Sequence, residues 1–384
     1  EYRRFIRHFE DAGKLDRALE FIPSDEELAE RRVQGKALTR PELSVLISYS
    51  KAVLKEDLID SNLGEDNYLA SAVKSAFPGR LVDEYETEVL EHRLHREIMA
   101  TQVANDIINR MGFNFVRRQQ KATGACVADV ARAYTAVMHI YDLAETWSAI
   151  ESQDHLVSSG VQMEMMLGLI SLVKRATRWL LRNRRHQLVP TLMIEEFREG
   201  LDQLRTAFPA MLRGRASDQY QSLFDHFVEE GVEEDLAKTV ASTNVGYTAL
   251  GIMQAAGETD APLLDVASLY FTMGERLELD WFSGQILASK VDNEWQALAR
   301  DTYLEDLEWQ QRTLTVGALR HLCEGATLLT CLQSWEKQEA SLLARWQDML
   351  GELHATETPD FGMFAVANRE LLDLAQSSTR AAMD

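Results

Sequence analysis

Apolar residues recur at three- and four-residue spacings along almost the whole chain. No stretch alternates β-branched and polar residues as a half-buried strand requires. From Pro41, for example, Leu43, Leu46, Ile47, Leu54 and Leu58 fall on one helical stripe. This periodicity points to the all-α class, and the lack of a fixed repeat period argues against a solenoid. The expected fold is an irregular multi-helix bundle assembly with little or no sheet. At 384 residues the polypeptide is long enough to bury a large core shared between lobes.

Local signals place the helices. Thr39 and Glu42 form a capping box, with Pro41 in the first turn where its missing N–H costs nothing. Ser24 and Glu27 repeat the box after Pro23. A long helix is expected from Glu88 to Met111, apolar at Leu90, Leu94, Ile98, Val103, Ile107, Ile108 and Met111, with Gly112 closing it. Thr123-Gly124-Ala125 is expected to open another, running through Ile140. Further helices are expected over 162–186, 191–207, 216–230, 233–256, 262–289, 293–312, 315–351 (interrupted) and 361–375. The division expected is a helical lobe over 1–150 and an acidic helical bundle over 151–384.

Charge is unevenly spread. Residues 1–186 carry 26 Lys and Arg against 28 Asp and Glu, whereas residues 187–384 carry 14 against 33. An acidic half of that size argues against binding nucleic acid or an anionic membrane surface. The longest uncharged run, Thr239 to Gly257, contains Thr, Ser, Asn, Gln and three Gly, so it reads as a buried interior helix and not a membrane span. Cys126, Cys323 and Cys331 form no CxxC pair, which fits reduced thiols in a cytoplasmic protein. The opening Glu-Tyr-Arg-Arg-Phe, without Met or signal peptide, suggests a piece of a longer polypeptide.

Several chemistries lack their residues. No Gly-x-Gly is present to bring a dinucleotide pyrophosphate onto backbone N–H groups, and no Lys-Gly-Gly occurs. Neither His-Glu-x-x-His nor Glu-x-x-His occurs, so His92 and His95, one turn apart on the expected 88–111 helix, read as structural and not as a metal site. No Gly-x-Ser-x-Gly nucleophile elbow is found. The seven tryptophans are spread along helices, as core or interface anchors are. The one concentrated feature is Lys174, Arg175, Arg178, Arg182, Arg184 and Arg185, followed by His186, at the end of a helix that carries Trp179. It suits an anion or interface patch. It equally suits a solvated helix end, where cations complement the dipole, or a surface docking on the acidic half.

Specific stretches carry a resemblance. Leu15-Asp16-Arg17 with Leu19 to Pro23, then Leu38-Thr39-Arg40-Pro41-Glu42-Leu43 with Tyr49 and Lys51, lead the chain. His92-Arg93-Leu94, Arg96-Glu97-Ile98, Ala100-Thr101 and Asn105 follow, then Thr123-Gly124-Ala125 and Trp179 with Leu181-Arg182. Asp280-Trp281, Trp295-Gln296 and Ala299-Arg300 come near the end. Together they resemble the C-terminal helical region of the large bacterial NAD-dependent glutamate dehydrogenases. His95 stands where that pattern has arginine.

The resemblance implies a parent reaction, in which glutamate and NAD give 2-oxoglutarate, ammonia and NADH, with a lysine and an aspartate handling water and proton transfer. Those groups belong to a preceding domain, so it implies no catalytic, cofactor-binding or metal residue here, and no cofactor in this fragment. Its implied partners are that catalytic domain and the other subunits of a homo-oligomer. A free-standing acidic interaction scaffold is the competing expectation.

Overall fold

The computed structural model describes residues 2–63, 66–320 and 327–380. Among these, every regular element is helical. No helix among them is long and apolar enough to cross a membrane. The chain forms two compact units, one made of Glu1–Leu143 with Val173–Glu195, the other of Ala144–Leu172 with Glu196–Asp384. Residue 150, the boundary expected from sequence, lies in the helix Leu143–Glu151 at the start of the second unit. Residues 173–195, which carry the basic segment, belong to the first.

In the first unit the two capping boxes form as their residues dictate. The Glu42 carboxylate accepts from the Thr39 amide at 2.6 Å, and the Thr39 hydroxyl accepts from the Glu42 amide at 3.5 Å. Ser24 and Glu27 make the same exchange at 2.7 and 3.2 Å. Each box satisfies two of the N–H groups that a helix start leaves without partners. Phe5, Ile6, Phe9, Leu15, Ile22, Leu38 and Leu46 pack into one apolar cluster, joining the first helix, Tyr2–Asp11, to the helix Arg40–Ile59.

Glu42 also receives Arg31 Nη1 at 2.8 Å. Burial alone raises its carboxyl pKa, but Arg31 and the Thr39 groups outweigh it and hold the value below the ordinary 4.5. A carboxylate depressed in this way contributes stability above its unfolded pKa, and loses it as pH falls through the folded value. Glu42→Gln keeps the capping-box bond but loses the charge that Arg31 and the helix start favour, and is therefore expected to cost up to about 1 kcal/mol at neutral pH. The cost should shrink in acid below about pH 4.5, as seen by denaturant unfolding at several pH values.

The expected 88–111 helix is broken. Helices Glu86–Leu90 and His95–Met111 are separated by a turn at 91–94. His92 Nδ1 accepts from the Leu94 amide at 3.1 Å, and His95 Nδ1 lies 3.2 Å from the His92 carbonyl. These imidazoles compete for backbone groups that a continuous helix would use. His92 thus stands in a turn and His95 opens a helix, so the two do not share a helical face. Gly112 ends the second helix at φ +83°. Gly124, at φ +73°, closes the helix Phe115–Thr123 and does not open the next one. That next helix, Val127–Ile140, is capped by Cys126, whose Sγ accepts from the Asp129 amide at 3.4 Å.

In the second unit the uncharged run is buried as expected, but it is not one helix. It breaks into Glu234–Ala241, Thr243–Gly246 and Thr248–Thr259. The hydroxyls of Ser242, Thr243 and Thr248 each donate to the carbonyl three residues back at 2.7 Å, which competes with the backbone ladder at both joints. Asp260, at φ +51°, ends the last piece, and Pro262 precedes the helix Leu263–Arg276.

The expected 262–289 helix is interrupted at Leu277 and Glu278. Conversely, the expected gap between 312 and 315 is absent, and Glu294–Leu319 is continuous. Polar side chains tie this central helix to its neighbours. Gln310 Nε2 donates to the Asn368 carbonyl at 2.9 Å, Gln311 Nε2 to the Tyr270 carbonyl at 3.0 Å, and Arg312 Nη1 to Gln254 Oε1 at 2.7 Å. Cys331 is buried, with its Sγ 3.1 Å from the Ala318 carbonyl, while Cys323 lies outside the described residues.

Candidate functional site

The basic segment occupies the last turns of the helix Ser159–Asn183 and the turn after it. Within the first unit these turns lie against the helix Phe115–Thr123. Its buried Gln119 joins the two helices, donating Nε2 to the Lys174 carbonyl at 3.0 Å and accepting from Arg178 Nε at 3.3 Å. Arg182 Nη2 donates to the Ala122 carbonyl at 3.2 Å, and Arg185 Nη2 to the Thr123 carbonyl at 3.1 Å. Those carbonyls end a helix, where no intrahelical donor remains and the dipole favours a cation. The two guanidiniums therefore cap the C-terminus of a helix some sixty residues earlier in sequence.

The remaining members separate. Arg184 places its guanidinium carbon 5.7 Å from the Trp179 ring centroid, within cation–π range. Lys174 and Arg175 are half-buried. Burial, then Arg118, then Arg178 push the Lys174 ammonium below its ordinary pKa. Three members thus bind neutral polar groups of the neighbouring helix, and one stacks on an indole. The arrangement joins two helices and concentrates positive charge around Lys174. It places no nucleophile beside a base in this segment.

A second group, only partly marked by sequence, lies in the second unit where helices Leu263–Arg276 and Leu279–Ala288 meet. Glu278 adopts φ +51° and sets its carboxylate 2.9 Å from His354 Nε2. The His354 ring stacks on Trp281 with centroids 3.7 Å apart. Asp280 is half-buried, and burial raises its carboxyl pKa against the opposing pull of Arg215. Only Asp280-Trp281 stood out in the sequence. His354, seventy-six residues from Glu278, carried no signal. Among the described residues, no group of three or more His, Cys, Asp or Glu is placed to hold a metal ion.

Comparison with known proteins identifies the relatives of this chain. The family described as "Glutamate dehydrogenase, C-terminal" matches residues 35–373. The NAD-specific glutamate dehydrogenase of Pseudomonas aeruginosa is 43% identical over 98% of this chain, which covers 23% of that relative. The enzyme of the same name from Halomonas elongata is 43% identical over 99% of the chain and 24% of its own length. That of Mycobacterium tuberculosis is 28% identical over 95% of the chain and 22% of its own. The chain thus spans about a quarter of the length of these relatives. With a family match running through both helical units, the chain belongs to the glutamate dehydrogenase C-terminal family.

Proposed function

We propose that this chain is the non-catalytic C-terminal helical region of an NAD-dependent glutamate dehydrogenase. In this reading it supports the dehydrogenase domain and contributes oligomer contacts or regulation. The observation that carries it is the pairing of near-complete coverage of this chain with coverage of only about a quarter of each relative. The relatives' name supplies the parent reaction, glutamate and NAD to 2-oxoglutarate, ammonia and NADH. The lack of a Gly-x-Gly turn supports leaving NAD binding, hydride transfer and proton transfer to the rest of the parent. A cytoplasmic setting goes with this reading and suits Cys126 and Cys331, which form no disulfide.

The construction supports this role. Buried side-chain bonds tie neighbouring helices together in each unit, which suits them to holding a neighbouring domain in place. The competing reading, a free-standing acidic scaffold, rests on the charge of residues 187–384 and leaves the family match without a role.

Deleting the region equivalent to 35–384 from the longer protein tests the supporting role. The expected result is a lower unfolding temperature for the remaining dehydrogenase portion, or a changed oligomeric state on size exclusion with light scattering. A remainder unaltered in activity, stability and oligomeric state would end the proposal.

A further inference from the structure

The geometry points to the loop bearing Leu19 and Phe21 as the surface on which the upstream, dehydrogenase part of the longer polypeptide seats. This rests on the reading above and deepens it.

Phe21 is 89% exposed and Leu19 is 70% exposed. Phe21 also holds φ +53°, a left-handed conformation that strains a bulky L-residue. An aromatic kept both strained and wet gains nothing inside this unit. Such an outlier argues for a use elsewhere.

The loop is rigidly built. Asp16 Oδ1 accepts from the Ala18 and Leu19 amides at 3.0 and 3.1 Å. Arg17 reaches both carboxylate oxygens of Glu10 at 2.9 and 2.6 Å, and also the Pro23 carbonyl and Asp25 Oδ1, each at 3.1 Å. Glu20 Oε1 accepts from the Tyr49 hydroxyl at 2.7 Å, and Ile22 is buried in the apolar cluster. The anchored residues Arg17, Glu20 and Ile22 alternate with the displayed Leu19 and Phe21. A preorganised pair of this kind loses little entropy on docking, and large apolar side chains on rigid backbone make effective anchors.

The matches indicate the occupant. The C-terminal family begins at residue 35, whereas the Pseudomonas relative matches across 98% of the chain and is about four times longer. The loop therefore lies ahead of the C-terminal family match, in the stretch adjoining the upstream portion of such a protein. Tethering there gives upstream polypeptide a high effective concentration at this loop. The chemistry required of it is an apolar pocket sized for one phenyl ring.

The test places p-benzoylphenylalanine at Phe21 in the longer protein, prepared as a mixture of isotopically light and heavy subunits. Photolysis followed by peptide mass spectrometry should link position 21 to a peptide upstream of residue 1, with both ends carrying the same isotope. Mixed-isotope links would assign the surface to a second copy and overturn the proposal. So would links confined to residues 1–384, or none. The same probe at two other exposed leucines, Leu264 and Leu329, separates the two readings. An upstream link from either of those, with none from 21, removes this surface and leaves the supporting role standing. That role fails only with the deletion experiment above.

Phe21→Gly adds a second readout, because glycine accepts φ +53° without strain. It is expected to leave or raise the unfolding temperature of the 384-residue chain and to lower that of the longer protein. A fall in both would mean that Phe21 serves only its own unit, contrary to the proposal.

Discussion

Replacing Trp346 by alanine is expected to lower the stability of the second unit by about 3–5 kcal/mol, the largest effect of the substitutions proposed. The indole is 1% exposed and packs edge-on to Phe282 with centroids 5.5 Å apart, and Phe282 in turn packs on Phe364. The indole Nε1 donates to the Leu277 carbonyl at 3.0 Å, at the interruption where Glu278 takes its left-handed conformation. Alanine removes the ring and also leaves a carbonyl without its partner, which itself costs about 1–3 kcal/mol. Trp346→Phe should narrow the comparison, because it keeps a buried aromatic ring of smaller volume while losing the donor. At about 2–4 °C per kcal/mol for a domain of about 150–250 residues, the alanine variant should unfold on the order of 10 °C lower in calorimetry. A loss within about 1 kcal/mol would mean that the corner is held by something else.

Gly317→Ala is expected to cost about 1–3 kcal/mol, against the usual preference for alanine in a helix. The added Cβ would lie 2.7 Å from Ser378 Cβ and 3.0 Å from the Ser378 carbonyl oxygen. Ser378 sits on the helix Phe361–Arg380, where its hydroxyl accepts from Trp335 Nε1 at 2.9 Å and donates to the Leu374 carbonyl at 2.9 Å. A backbone so fixed cannot yield as a flexible side chain would, so the two helices must separate. Gly257→Ala is the matched control. It lies in the helix Thr248–Thr259, and its Cβ would meet nothing within 4 Å. Alanine there should stabilise by about 0.5–1 kcal/mol. Opposite signs for one substitution at two helical glycines are the readout, by urea unfolding of both variants.

What was legible in the sequence was what depends on near neighbours. The capping boxes at Ser24 and Thr39 need only residues three positions apart, and both form. The all-α class needs only the apolar period. Two of the failures share a cause, in that a side chain took a backbone partner the period does not reveal. His92 breaks the expected 88–111 helix by accepting the Leu94 amide. Ser242 and Thr248 flank the joints in the uncharged run. The continuity of Glu294–Leu319 was missed; Gln310 to Arg312 near the expected gap are buried by partners distant in sequence, such as Tyr270, forty-one residues away.

The basic segment shows the same limit. Its six residues were visible, but their partners were not, because Gln119 and the Ala122 and Thr123 carbonyls lie fifty-five to sixty-two residues upstream. A helix C-terminus exposes the same carbonyls whatever its sequence. The caps from Arg182 and Arg185 could therefore not be inferred from composition, and charge alone left an anion patch, a solvated helix end and a docking surface all open.

The proposed function leaves the chemistry of the parent enzyme outside these helices. The most direct measurement is NADH formation, followed by absorbance, with the purified 384-residue chain at saturating glutamate and NAD, beside the longer protein at equal molarity. Turnover is expected from the longer protein, and none above the protein-free background from the isolated helices. Sustained NADH production by the isolated helices, abolished by omitting glutamate, would contradict it.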